Sequence, residues 1–127
     1  MADPLVPPEV SIRIRFGGAD MIGPGKAALL DRISVTGSIA AAARDMGMSY
    51  KRAWMLVETL NAMFDTPVVA STRGGPGKGG AVLTERGRDV LAEYRAVEAT
   101  ARDQASVHLN RLRGWLRTAQ GPAESED

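Results

Sequence analysis

The sequence GSIAAAARDMGMSYKRAWMLVETLNAMF, residues 37–64, contains two helix-starting signals in close succession. Ser38 and Ser49 are suited to cap helices, because a serine hydroxyl accepts a hydrogen bond from an otherwise unpaired backbone N–H. The apolar residues after each serine recur at helical spacing, and Gly47 separates the two runs. The first run is Ile39, Ala42, Ala43 and Met46, and the second, over 50–64, is Ala53, Val57, Leu60 and Phe64. Two helices joined by so short a break predict a helix-turn-helix.

A further helix is expected upstream of this pair and a β-hairpin downstream. Pro24 suits the first turn of a helix, because its missing N–H has no partner there, and Gly37 marks the end of that helix. Residues 67–73 and 81–83 have the pattern of short strands, and residues 74–80 between them include five glycines. A flexible hairpin tip in this position predicts the wing of a winged helix.

Residues 10–16 predict a half-buried strand near the start of the chain. Four apolar residues there alternate with polar ones, which is the period of a strand with one face on the core. The apolar positions are Val10, Ile12, Ile14 and Phe16.

The residues after Thr84 predict one long helix that continues to about Thr118. Thr84 serves as its cap, and Glu85 suits the positive end of the helix dipole. Such a helix would be about 50 Å long, too long to pack wholly on a small core. Its apolar residues repeat at heptad-like spacing, which favours pairing with a second copy of the chain. The predicted dimerisation residues are Val90, Tyr94, Val97, Ala101, Leu112 and Leu116.

These elements together predict a mainly α fold with a small β-sheet, of the α+β class. A winged helix-turn-helix domain is expected over residues 1–84, with a loose leader over 1–8. A dimerisation helix is expected over 85–119, and a disordered acidic tail over 120–127.

The composition narrows the function classes. With 127 residues, of which 44% are hydrophobic and 24% charged, the chain has material for one modest core. No cysteine is present and His108 is the one histidine, so thiolate metal sites and histidine-based catalysis are not expected. No membrane span and no secretory signal are recognisable. We therefore expect a soluble cytoplasmic protein that is not an enzyme and needs no metal or cofactor.

The charge is small but unevenly distributed. The net charge is +1, whereas residues 49–88 carry six Lys and Arg against three acids. A basic middle on a nearly neutral chain is compatible with binding to nucleic acid.

Two stretches carry a family resemblance. GSIAAAARDMGMSYKRAWMLVETLN at 37–61 and VVASTRGGPGKGGAVLTERGRDVLAEY at 68–94 resemble the N-terminal domain of the molybdate-responsive regulators of the ModE type. More distantly, they resemble the winged helix of LysR-type regulators. The resemblance covers roughly residues 10–95, and the helix after Thr84 matches the family's dimerisation helix in position. It implies a dimeric regulator that binds specific sequences of double-stranded DNA.

The chain departs from the full ModE-type pattern at its end. Full-length members continue into small β-barrel domains that bind molybdate or tungstate, whereas this sequence ends seven residues after Gln120. The resemblance places the oxyanion-binding donors in those barrels. We therefore expect a regulator without an effector domain of its own, and no direct molybdate binding.

The start of the second helix of the pair supplies the expected DNA contacts, because recognition helices present their N-terminal residues to base edges. Arg52 suits a bidentate bond to guanine, and Lys51 suits a base or a phosphate. The serine caps and Tyr50 are expected at phosphates, and the wing contributes its two cations. The full set is Ser38, Ser49, Tyr50, Lys51, Arg52, Met55, Arg73 and Lys78. Trp54 lies beside the buried stripe, and its role is left open.

Two other functions remain open from the residues alone. One is a protein-interaction module that dimerises with a full-length regulator, and the other is an oxyanion sensor with its site between two protomers. Duplex binding that weakens steeply with salt separates a regulator from an interaction module, and an oxyanion-dependent melting shift identifies a sensor.

Overall fold

The computed structural model of the chain describes residues 8–73 and 79–117, and of Arg73 the backbone only. The predicted α+β class is confirmed. The elements follow in the order β1 (Ile14–Gly17), β2 (Asp20–Ile22), α1 (Pro24–Thr36), α2 (Ile39–Asp45), α3 (Tyr50–Met63), β3 (Val69–Arg73), β4 (Gly79–Leu83), α4 (Glu85–Gln104) and α5 (Ser106–Gly114). The chain forms two units. Residues 12–96 make up one of them, and the other comprises residues 8–11 and 97–117.

The helices of the first unit begin where the cap signals predict. The Ser38 hydroxyl accepts from the backbone N–H of Ala41 at 3.1 Å, and the Ser49 hydroxyl accepts from that of Arg52 at 3.1 Å. Helix α1 starts at Pro24 and ends before Gly37, whose φ of 73° stops the helix. These local signals therefore set the lengths of α1, α2 and α3.

One hydrophobic core joins the three helices to the wing. The buried stripe of α3 is as predicted, with Phe64 packed at its edge, and Ala42 and Ala43 of α2 are buried where α2 meets its neighbours. Side chains of the wing strands close the core from the other side. Its buried members are Leu29, Leu30, Ile33, Ala42, Ala43, Ala53, Val57, Leu60, Val68, Val69, Ala81 and Leu83.

The wing is an antiparallel pair of strands, in which Val69 lies opposite Leu83 and Arg73 opposite Gly79. Its second strand is tied to the turn before α2, because the backbone N–H of Ala81 donates to the carbonyl oxygen of Gly37 at 2.9 Å.

Asn61 ties the first wing strand to α3. The Asn61 Oδ1 accepts from the backbone N–H groups of Val68 at 2.8 Å and of Val69 at 3.0 Å. Its Nδ2 donates to the Val69 carbonyl oxygen at 3.2 Å. One side chain thus satisfies three backbone groups at the root of the wing, and it fixes β3 against α3.

The N-terminal strand differs in part from its prediction. β1 begins only at Ile14 and pairs with β2, which the sequence pattern did not predict. The expected burial of Phe16 is wrong, since its side chain is 61% exposed. The register shifts between Arg15 and Gly17, and Gly17 has a φ of 112°, so the inside–outside alternation ends before Phe16.

The expectation of one continuous helix from Glu85 to Thr118 is also wrong. α4 ends at Gln104, and Ala105 has φ −92° and ψ 4°, outside helical geometry; α5 then runs only to Gly114. The break lies in a polar segment, where Asp103 and Ser106 are residue types that favour caps and turns over helix interiors. No helix in the described ranges combines the length and the apolar character that a membrane span needs.

The first turns of α4 belong to the core of their own unit. Tyr94 is 2% exposed, packs with Ile22 and Ala27, and donates from its hydroxyl to the carbonyl oxygen of Ile12. Val90 packs against the same cluster. Both residues were also predicted to line a dimer seam. Their side chains contact this cluster within the chain, and the seam role stays a prediction.

Replacing Asn61 by Ala tests the tie between α3 and β3. We expect Asn61→Ala to lower the free energy of unfolding by about 1–3 kcal/mol, because two buried N–H groups lose their acceptor. Thr59→Ala on the same helix is the control; its exposed hydroxyl bonds only to Met55 of that helix, and we expect a change within about 0.5 kcal/mol. Urea unfolding of both variants measures the difference, and equal effects would contradict the assigned role.

Gly87 marks a close approach between α4 and the root of the wing. A Cβ there would lie 2.0 Å from the Val68 carbonyl oxygen, whereas a Cβ on Gly25 in α1 meets nothing within 4 Å. We expect Gly87→Ala to destabilise by about 1–3 kcal/mol and Gly25→Ala to stabilise by about 0.5–1 kcal/mol. Thermal unfolding of the two variants checks the opposite signs.

Candidate nucleic-acid interface

Helix α3 presents its N-terminal residues to solvent. Ala53, Val57 and Leu60 point into the core and are at most 3% exposed, which turns the other faces of the helix outward. The predicted contacts Lys51 and Arg52 are exposed, as are Tyr50 and Met55. The first turns of α3 are therefore accessible to a partner, as the predicted recognition helix requires.

One flank of α3 forms a shallow groove of about 310 Å³, here called the basic groove. Four of the predicted contacts line it, two of them cationic. Its lining residues are Ser49, Lys51, Arg52, Met55, Leu56 and Thr59. No ion pair engages Lys51 or Arg52 within the described residues, so both charges are available to an anionic partner.

The opposite flank of α3 faces the wing across a cleft of about 410 Å³, here called the wing cleft. The start of α2, α3, and strands β3 and β4 enclose it. Among its lining residues are Ser38, Tyr50, Trp54, Val57, Glu58, Asn61, Val69, Ser71, Thr72 and Gly80. The predicted contacts therefore divide between two sides of α3: Tyr50 and Ser38 lie with Trp54 on the wing side, away from the basic groove.

Trp54, Glu58, Ser71 and Thr72 are among the lining residues of the wing cleft that were not predicted as contacts. Trp54 is 45% exposed, a large value for an indole next to a buried stripe. Its four-residue spacing from Tyr50, with Glu58 one turn further, was the signal available in the sequence. The hydroxyls of β3 carried no comparable signal, because their position depends on how the wing docks.

Two arginines of the basic middle are used inside the fold. The Arg86 guanidinium donates to Asp65 through Nε at 2.9 Å and Nη2 at 3.1 Å, and through Nη1 to Asp89 at 3.2 Å. These hydrogen bonds lower the pKa of the Asp65 carboxyl. Arg88 donates to the Leu83 carbonyl oxygen at 3.0 Å. Among the described side chains of the basic middle, Lys51 and Arg52 at the start of α3 are the cations without such a partner.

The two wing cations complete the set of predicted contacts. Lys78 and the side chain of Arg73 lie outside the described residues, so their predicted role stays a prediction.

In the part of the chain that the structure describes, no group of three or more His, Asp or Glu side chains is placed to hold a metal ion.

Comparison with known proteins places this site in a family. Residues 26–88 match the bacterial regulatory helix-turn-helix proteins of the LysR family. The chain is 50% identical over 82 residues to the molybdenum-pterin-binding protein MopB of Rhodobacter capsulatus. The aligned region covers 65% of this chain and 30% of MopB. It is 40% identical over 89 residues to the molybdenum transport protein ModE of Azotobacter vinelandii, covering 68% of this chain and 33% of that protein.

A third relative is the DNA-binding transcriptional dual regulator ModE of Escherichia coli, 39% identical over 86 residues, with 68% of this chain and 33% of that protein covered. The chain thus spans about a third of the length of these curated relatives. The matches confirm the resemblance to ModE-type regulators. Residues 26–88, just under half of the chain, thus match the helix-turn-helix domain of LysR-type bacterial regulatory proteins.

Proposed function

We propose that this protein is a transcriptional regulator, not an enzyme, that binds specific sequences of double-stranded DNA in the cytoplasm. The observation that carries the proposal is the exposed start of α3, with Lys51 and Arg52 unpaired in the described structure and a wing beside them. The names of the relatives, which include a DNA-binding transcriptional regulator, support the same class of function.

In this proposal α3 enters the major groove with its first two turns. Arg52 reads a guanine through O6 and N7, because its guanidinium offers two parallel donors, and Lys51 binds a neighbouring base or phosphate. Met55 lies one turn further along the same groove and suits apolar contact with a thymine methyl. Arg73 and Lys78 are assigned to the DNA backbone near the wing on the basis of sequence alone.

We further propose that the protein acts as a homodimer. Residues 97–117 carry exposed apolar side chains on or just after α4 and α5: Val97, Val107, Leu112, Trp115 and Leu116. Of the predicted seam, Val97, Leu112 and Leu116 retain this exposure, and Ala101 is half-buried. A two-fold dimer would place its recognition helices about 34 Å or a multiple apart, which favours an inverted repeat.

Salt dependence tests the DNA-binding proposal. Affinity for a duplex selected from a random pool should fall steeply as salt rises, because cations that neutralise phosphates release counterions. Lys51→Ala should lower affinity and reduce the slope of log K against log salt by about 0.9 if Lys51 meets a phosphate. Arg52→Ala should cost about 1–3 kcal/mol and relax base preference at one position.

Arg111→Ala on α5 is the matched control, since it removes an exposed cation outside the helix-turn-helix. Fluorescence anisotropy at several salt concentrations measures all four proteins. A wild-type protein that binds no duplex, or whose binding is insensitive to salt, would overturn the proposed function.

Charge placed on the exposed apolar residues tests dimerisation. Leu112→Asp and Leu116→Asp should shift the protein toward monomer, because an uncompensated charge buried in an interface costs on the order of 3–5 kcal/mol. Val35→Asp is the control; Val35 is 66% exposed on α1 and lies outside the proposed interface. Sedimentation velocity gives the oligomeric state, and dimers that persist in both leucine variants would contradict the assignment.

A further inference from the structure

We infer that the wing cleft binds a sugar–phosphate segment of duplex DNA through uncharged donors, with Trp54 as its central contact. The inference rests on the proposed function and adds a second contact surface to it, on the flank of α3 opposite the basic groove.

The shape of the cleft gives it an apolar inner side and a polar mouth. Val57 and Val69 line the inner side, and their side chains are only 3% and 5% exposed. Tyr50 and Trp54 line the mouth, and their side chains are 54% and 45% exposed. Two aromatic rings one helical turn apart thus border the opening. Ring faces of this kind pack well against the carbon atoms of deoxyribose, which are the apolar part of a DNA strand.

The donors at the mouth of the cleft have no hydrogen-bond partner among the described residues. Within the described residues, the Tyr50 hydroxyl, the Trp54 indole N–H and the hydroxyls of Ser71 and Thr72 make no hydrogen bond. All four groups are neutral, and three of them are hydroxyls, which together with indole N–H groups suit phosphate oxygens as acceptors. The arrangement therefore fits a phosphodiester and needs no cation in the described part of the cleft.

Glu58 determines which part of the cleft a phosphate can use. Its carboxylate lines the same opening, one turn beyond Trp54, and no described residue pairs with it. A phosphate is repelled from that end and is directed to the end with Tyr50. A small free anion gains nothing from the aromatic rings and meets the same repulsion, so an extended strand with sugar carbons is the better occupant.

The position of the cleft agrees with a single duplex on α3. The basic groove and the wing cleft lie on the two flanks of one helix, and both include residues of its first turns. A recognition helix in a major groove has a DNA strand along each flank. The strand on the wing side then lies between α3 and the wing, where the cleft is.

Uncharged donors have a measurable signature. They release no counterions of their own, so removing one should lower affinity at every salt concentration by the same factor. Loss of a cationic contact instead changes the slope of log K against log salt.

The two tryptophans of the chain give a matched experiment. Trp54→Ala should weaken duplex binding by about tenfold or more, the loss of one hydrogen bond to a charged acceptor, with the slope unchanged. Trp54→Phe keeps the ring and loses the N–H, so its loss should be smaller. Trp115→Phe is the control, because Trp115 lies outside the cleft and is 77% exposed, and phenylalanine keeps an aromatic side chain in the apolar surface proposed for dimerisation. Sedimentation velocity checks that this variant keeps the oligomeric state of the wild-type protein. Glu58→Gln should tighten binding to all duplexes.

Fluorescence supplies a readout that does not depend on affinity. In Trp115→Phe, Trp54 is the remaining tryptophan, and its emission should be quenched or shifted when duplex DNA is added. In Trp54→Phe, the emission of Trp115 should stay constant at a protein concentration at which sedimentation velocity shows no change of oligomeric state on adding DNA.

The failures are distinguishable. If the wild-type protein binds no duplex, the proposed function is wrong, and this inference falls with it. If the wild-type protein binds with a steep salt slope while Trp54 variants bind equally well and Trp54 emission does not respond, the cleft is not a DNA contact. A Trp54→Ala effect that reduces the slope would also overturn it. If the Trp54→Ala variant does not fold, two other measurements test the cleft. These are the duplex affinity of Trp54→Phe and the change in Trp54 emission when DNA is added to Trp115→Phe.

Discussion

The hydrogen bond from the Ala81 backbone N–H to the Gly37 carbonyl oxygen is the constraint on which the arrangement of the wing and the helix pair depends. Gly37 ends α1 and precedes the cap of α2, so this bond fixes the second wing strand to the turn that orients the helix pair. Asn61 does the same for the first strand against α3. Each strand of the wing is therefore anchored by hydrogen bonds to the helical part of the domain. These bonds fix the separation between α3 and the wing strands, which sets the width of the wing cleft.

The sequence allowed prediction of those features that depend on neighbours along the chain. Helix starts at Pro24, Ser38 and Ser49 were predictable because a cap and its partner lie within three or four residues. The ion pair of Arg86 with Asp65 spans 21 residues, and no local rule connects them. Asn61 had a signal that was not used: it is a polar residue next to the buried stripe of α3. Trp54 was left open because its role depends on where the wing docks.

The helix after the wing combines two tasks that the heptad-like pattern did not separate. A repeat of apolar residues indicates that one face of the helix is buried, but not what buries it. The covering surface is either the rest of the same chain or a partner. Tyr94 is covered by Ile22 and Ala27, so the start of α4 serves the core. Beyond Ala96 most of the large apolar side chains are again exposed, namely Val97, Val107, Leu112, Trp115 and Leu116. The residues of an apolar repeat that pack within their own domain must therefore be identified first. Only the remaining apolar residues of the repeat predict a dimer surface.

Anchoring of the wing matters more for neutral contacts than for charged ones. A lysine acts over several ångströms, and its flexible chain adapts to a phosphate that is slightly displaced. A hydroxyl or an indole N–H contributes only at hydrogen-bond distance and with a suitable angle. The basic groove needs only α3, whereas the wing cleft needs α3 and β3 at a fixed separation. The three hydrogen bonds of Asn61 hold that separation, so under the proposed function the affinity that the cleft adds depends on Asn61 as well as on the donors at its mouth.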